Sequence, residues 1–203
     1  MKKNKISKNW INKQKRDIYV RQSKIDGYRS RAAYKLLEID QKFKILKNGI
    51  SFVDLGAAPG GWSQYAAKNI KNGKILSIDL KRMEKIDNTI QIIDDFTESS
   101  CKEKIRSYFK SKVDVIVSDM ALNTTGNKNV DSIATGELCK EAIFFTKELL
   151  NKNGKFVSKI FMGSTFNEII KVSKLIFKET RVYKPPSSRK DSKESFIICK
   201  NLR

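Results

Sequence analysis

Residues 50–67 constrain the fold more than any other stretch. Ile50-Ser51-Phe52-Val53-Asp54-Leu55 is a short apolar strand that runs directly into Gly56-Ala57-Ala58-Pro59-Gly60-Gly61, and a helix follows through Trp62, Tyr65, Ala66 and Ala67. Such a strand needs cover on both faces, and a glycine-rich strand-to-helix turn opens backbone atoms to a ligand. The same alternation continues along the chain. Asn72-Gly73 turns into a strand over 74–78 that ends at Asp79, and a weaker strand signal at 90–93 is followed by Asp94-Asp95-Phe96 and a helix to about 109. Val113-Asp114-Val115-Ile116-Val117 is a buried strand ending at Ser118-Asp119. A polar loop over 123–129 and a helix over about 132–150 come next. Asn153-Gly154 then turns into a strand over 155–161, a helix covers about 166–177, and two closing strands flank Pro185-Pro186-Ser187-Ser188. Upstream, Ser30 is placed to cap a helix through Ala32, Ala33, Leu36, Leu37 and Ile39. The pattern predicts one doubly wound, mostly parallel α/β domain over 1–203.

Ligands of such sheets sit at the carboxyl ends of the strands. Gly56, Asp79, Asp95, Asp119 and Lys159 all fall at or near such ends. The turn reads G-A-A-P-G-G rather than G-x-G-x-x-G, which suits a nucleoside cofactor without a pyrophosphate, such as S-adenosylmethionine. Asp79 is spaced to accept hydrogen bonds from ribose hydroxyls, and Asp95 to meet an adenine amino group.

Composition narrows the chemistry. The chain has no histidine, which removes His bases, His triads and most catalytic zinc sites. Cys101, Cys139 and Cys199 are too far apart to suggest a metal pair and read as thiols of a reducing compartment. No metal site is expected. Lys and Arg number 42 against 22 Asp and Glu, a net charge of +20, and such an excess calls for a polyanion. Nine of these cations lie within the first 24 residues, beside Asp17 as the single acid. Residues 1–28 are therefore expected to pack on the core and contact a nucleic acid. No apolar run approaches the ~20 residues of a membrane span, and the basic start lacks the apolar core of a secretory signal.

Asp54-Leu55-Gly56-Ala57-Ala58-Pro59-Gly60-Gly61-Trp62-Ser63-Gln64 closely resembles the first motif of the RrmJ/FtsJ family of RNA ribose 2′-O-methyltransferases. Ser30-Arg31-Ala32-Ala33-Tyr34-Lys35-Leu36, Val117-Ser118-Asp119-Met120-Ala121 and the stretch from Ser187-Ser188-Arg189 to Glu194 are similar to its other motifs, so the likeness spans nearly the whole chain. The resemblance implies a Rossmann-like S-adenosylmethionine-dependent fold, with a seven-stranded sheet whose last strand is antiparallel and helices on both faces. It puts Gly60, Trp62, Asp79, Asp95 and Asp119 on cofactor-binding positions, beside Gly56 and Gly61 of the turn. It implies a catalytic group of Lys35, Asp119, Lys159 and Glu194, with Lys159 as general base, Asp119 tuning it, and Lys35 and Glu194 orienting the ribose.

Residue chemistry agrees on one point. Without histidine the base must be a lysine, carboxylate or tyrosine, and Lys159 sits inside the apolar run Phe156-Val157-Ser158-Lys159-Ile160-Phe161, where an unpaired ammonium is costly. Arg29, Arg31 and Arg189 are expected to grip RNA phosphates. By analogy with the compact members of the family, the target is a uridine in the A-loop of large-subunit rRNA. A tRNA ribose enzyme and a catalytically inactive RNA-binding assembly factor are the alternatives. The expected protein is a monomer, intracellular, in the cytoplasm or in an organelle if eukaryotic. One departure stands out: Leu122 replaces the family's usual proline after Ser-Asp-Met-Ala.

Overall fold

The computed structural model describes residues 16–121 and 128–203. Leu122 and the first five residues of the expected polar loop lie outside them, as does most of the basic N-terminal run. Two helices lead in, α1 (Ile18–Ile25) and α2 (Ala32–Phe43). They are followed by β1 (Ser51–Leu55), α3 (Gly61–Asn69), β2 (Lys74–Asp79), β3 (Thr89–Ile93), α4 (Ser99–Phe109) and β4 (Val113–Ser118). Then come α5 (Lys128–Leu149), β5 (Leu150–Phe161), α6 (Phe166–Ile176), β6 (Phe177–Tyr183) and β7 (Glu194–Leu202). Among the described residues the strands form one seven-stranded sheet in the order β3-β2-β1-β4-β5-β7-β6. Neighbours pair in parallel from β3 to β5, and β7 runs antiparallel to both β5 and β6.

Strand period decides which face each residue serves. Phe52, Val115, Val117, Val157, Phe196 and Ile198 point to the face covered by Leu36 and Ile39 of α2 and Trp62, Tyr65 and Ala66 of α3. Val53, Leu55, Ile116, Phe156, Ile160 and Ile197 point to the opposite face, under Ile105 of α4, Phe145 of α5 and Ile169 of α6. Lys159 keeps step with Val157, and Glu194 with Phe196, so both are aimed at the face that carries α2. The order reverses between β1 and β4, and the crevice above that pair is where such a sheet receives a ligand.

Three local expectations change. Ser30 does not cap α2: its carbonyl takes the Ala33 N–H, and its Oγ is buried without a hydrogen-bond partner among the described residues. The cause is close helix packing, since a Cβ on Gly61 would lie 2.4 Å from that Oγ. The Asn153-Gly154 turn is a bulge within β5, not a boundary before it. Leu150 pairs with Val113 and Lys155 with Val115, so residues 151–154 loop out opposite Asp114, whose Oδ1 accepts the Asn151 amide at 3.0 Å. Helix α5 begins at Lys128, earlier than about 132.

Candidate active site

The β1–α3 turn is stitched to the end of β2. Gly56 and Ala57 donate their N–H groups to the Ile78 carbonyl at 2.9 and 3.0 Å. Asp79 accepts from Ala58 N–H through Oδ2 and from Lys81 N–H through Oδ1, each at 2.8 Å. Gly56 has φ +74°, and a Cβ there would lie 2.5 Å from Met120 Cγ and 3.0 Å from Met120 Cα. Only glycine lets the turn lie this close to the end of β4.

Above the turn is a cleft of about 800 Å³, lined by Gly56, Asp79, Asp95, Phe96, Asp119, Met120 and residues of α5 that include Glu137 and Glu141. Within a chain of net charge +20 this lining is acidic: among the described residues it holds six carboxylates against Lys81. That sign disfavours a pyrophosphate and favours a cationic nucleoside. Asp95 stands at the rim in a tight turn, its Oδ1 accepting from both the N–H and the hydroxyl of Thr97.

Three residues expected at the cofactor do not line this cleft. Trp62 is 2% exposed, donates its indole N–H to the Ala32 carbonyl at 2.8 Å, and packs near Phe196 on the α2 face. Gly61 serves the α2–α3 approach, and Gly60 faces Met83, Ile86 and Arg29.

Beside the cleft, Lys35, Asp119, Lys159 and Glu194 converge from α2, the end of β4, β5 and β7. Lys159 Nζ lies 2.6 Å from the Asp119 carbonyl oxygen, to which it donates, and 3.0 Å from Asp119 Oδ1. Lys35 Nζ donates to Glu194 Oε2 at 2.8 Å and lies 3.7 Å from Asp119 Oδ2. Burial pulls the Lys35 ammonium down, but Asp119 and Glu194 outweigh it and hold its pKa above the usual lysine value. Burial pushes the Asp119 carboxyl up, yet Lys159 and Lys35 more than reverse this and hold it below the usual carboxylate range. Lys35 is thus fixed as a cation by two carboxylates.

Two supports were not singled out in the sequence. Ser188 Oγ donates to Glu194 Oε1 at 2.9 Å, while Glu38 Oε2 accepts from the N–H and hydroxyl of Ser187 at 2.9 and 2.6 Å. The Glu38 contacts tie the 185–188 turn to α2, and the Ser188 bond ties it to the start of β7. Beneath the glycine turn, Asp54 is fully buried and accepts from Ser63 Oγ at 2.6 Å, and Ser63 Oγ lies 2.6 Å from Ser77 Oγ. Burial, with smaller contributions from Asp119 and Asp79, pushes the Asp54 carboxyl up to about 7 against the opposing Ser63 bond. A carboxylate inside an apolar strand was the available signal for Asp54. For Ser188 the signal was its place in the stretch from Ser187-Ser188-Arg189 to Glu194.

The three arginines are engaged within the chain. Arg29 donates to the Glu84 and Lys85 carbonyls at 2.6 and 2.7 Å. Arg31 and Arg189 both reach Asp17 Oδ2, at 2.5 and 3.3 Å, and Arg31 also donates to the Ser187 carbonyl.

Comparison with known proteins agrees with this architecture. The model of the FtsJ-like methyltransferase family matches residues 28–202. Ribosomal RNA large subunit methyltransferase E of Pelagibacter ubique (strain HTCC1062) is 68% identical over 203 residues, covering 100% of both chains. The protein of the same name from Rickettsia bellii (strain RML369-C) is 45% identical over 204 residues, covering 97% of this chain and 89% of that one. Among solved structures, a ribosomal RNA methyltransferase from Plasmodium falciparum superposes with a TM-score of 0.77 at 33% identity, covering 86% of this chain and 98% of the other.

Proposed function

The chain belongs to the FtsJ-like methyltransferase family, and from that premise we propose that it methylates a ribose 2′-hydroxyl of ribosomal RNA, using S-adenosylmethionine. The observation that carries this reading is the Lys35–Asp119–Lys159–Glu194 group beside an acidic, nucleoside-sized cleft. A cationic sulfonium cofactor matches the sign of that cleft, and when bound it supplies the activated methyl group. Gly56, Asp79, Asp95 and Asp119 would hold it. Gly60, Gly61 and Trp62 would act at one remove, by fixing the turn and its helix.

The remaining work belongs to the chain's own side chains. An alcohol is a weak nucleophile until its proton leaves, so the site must orient the hydroxyl and receive that proton. Lys159 Nζ, in its unprotonated form, takes the proton, and the Asp119 carbonyl and carboxylate stabilise the ammonium that forms. Lys35, held charged, offers hydrogen bonds to the ribose oxygens while Glu194 fixes its direction. Both cleft and catalytic group come from one chain, which supports action as a monomer. Among the described residues no helix is long and apolar enough to cross a membrane. We place the enzyme where ribosomes are assembled, and take a uridine in the A-loop of large-subunit rRNA as the target.

Transfer of labelled methyl groups to RNA, mapped by nuclease resistance to the 2′-oxygen, tests the reading. Label on large-subunit rRNA is expected, with RNA binding that falls steeply with salt. Label on a base or on tRNA would overturn the assignment, and so would no transfer at all. Asp79→Ala tests the cofactor site. Losing hydrogen bonds to a carboxylate should weaken S-adenosylmethionine binding by on the order of 100-fold in calorimetry.

A further inference from the structure

We propose that Asp17, in the free protein, fills the place on Arg31 and Arg189 that a phosphodiester group flanking the methylated ribose takes when RNA binds. The inference rests on RNA being the substrate. Asp17 is the single acid among the first 24 residues, and its side chain is only 9% exposed. One of its oxygens, Oδ1, caps α1 by accepting the Tyr19 N–H at 3.1 Å. The other, Oδ2, receives both guanidinium groups.

One carboxylate between two guanidiniums leaves the pair short of negative charge. Arg31 Nε is buried and without a hydrogen-bond partner among the described residues, so its donor set is incompletely used. Burial and the like charge of Arg189 disfavour the Arg31 cation, and Asp17, with smaller help from Glu194 and Tyr19, offsets them only in part. A phosphate, with more acceptor oxygens than a carboxylate and a geometry suited to guanidinium forks, would satisfy this pair better.

The position fits the reaction. Arg31 lies four residues before Lys35, one turn back on the same face of the α2 region. It donates to the Ser187 carbonyl, and the next residue, Ser188, holds Glu194. A ribose oriented by Lys35 and Glu194 therefore carries its own phosphate toward the two arginines. Its arrival would release Asp17 at the cost of one helix-cap contact and the two ion pairs that it replaces.

Asp17→Asn tests the site, because asparagine caps a helix as well as aspartate and so spares α1. Glu103→Gln, on exposed α4, gives the same change in net charge away from the site. Binding is read by titrating a short RNA oligonucleotide into each protein, with inorganic phosphate as competitor. Asp17→Asn should bind RNA on the order of ten-fold tighter than Glu103→Gln. Adding Arg31→Gln should cancel that gain. Affinity equal to or below the Glu103→Gln protein would show that Asp17 only braces the arginines, and would overturn the proposal. Persistence of the gain without Arg31 would also overturn it, as would tighter inorganic phosphate binding with no gain for RNA. Failure of the unmodified protein to bind RNA at all would instead sink the substrate reading on which the site depends.

Discussion

Lys159→Ala is expected to lower methyl transfer by about 10²–10⁴-fold, the range that a positioned general base contributes. S-adenosylmethionine affinity should stay near that of the unmodified enzyme. The expectation follows from how the two lysines are held. Lys35 is fixed in its charged form by Glu194 at 2.8 Å and Asp119 at 3.7 Å, so it cannot take over as base. No histidine exists to substitute. Asp119 retains Lys35 as a counter-charge when Lys159 is lost, so the site should not collapse. Lys159 is 7% exposed, and truncation leaves a cavity. Lys159→Met fills the space and separates lost chemistry from lost packing. Single-turnover transfer of labelled methyl, with cofactor affinity by calorimetry, is the measurement. Near-normal turnover in either variant would remove Lys159 from the mechanism.

The frame of this site was readable because strand ends and apolar runs are local signals. Val113 to Val117 and Phe156 to Phe161 declare themselves as buried strands, so Asp119 and Lys159 had to meet above the sheet. The side of the sheet also follows, since Lys159 keeps step with Val157 toward α2. Lys35 and Glu194 are different. Nothing local distinguishes Lys35 from Lys42, the other lysine of α2, and the pairing of Phe161 with Glu194 depends on an antiparallel strand that arrives late in the chain. Their place came from family likeness alone. Trp62 shows the opposite case. It sits within the cofactor motif, yet its indole is spent on the Ala32 carbonyl and the α2 face. Ser30 fails as a cap because Gly61 packs against it, a tertiary contact that outweighs a local preference.

Charge shows the same division between what is local and what is not. Composition announced a polyanion partner, but not that the cleft would carry the opposite sign. Nor could it show that Asp17 would draw in two of the expected phosphate-gripping arginines. Carboxylates scattered through the sequence become one acidic wall only when the strand ends are gathered. An acidic cleft in a strongly basic chain would suit attraction of RNA together with acceptance of a cationic cofactor.

Asp119→Asn should have the largest effect on stability, because it strips the shared counter-charge from two buried ammonium groups. Removing one partner of a buried ion pair costs about 3–5 kcal/mol. For a domain of this size that corresponds to a fall in Tm of roughly 10 °C. The sign with pH can be worked out. The Asp119 carboxyl is held below its ordinary value of 3.8 in the folded chain, so its contribution is fully present above that value. It is lost as pH falls through the lower folded pKa. Lys35 is held above its ordinary 10.5, so its contribution is present below 10.5 and is lost as pH rises through the higher folded value. Denaturant unfolding at pH 7 should therefore show the full deficit of Asp119→Asn, and the gap to the unmodified protein should narrow as pH drops below about 4. Lys159→Met added to Asp119→Asn removes one of the stranded ammonium groups. The double variant should recover part of the lost stability while remaining inactive. If Asp119→Asn unfolded at the same denaturant concentration as the unmodified protein at pH 7, the ion pairs would be contributing nothing to the fold. If the double variant were less stable than Asp119→Asn, stranded positive charge would not be the cause of the deficit.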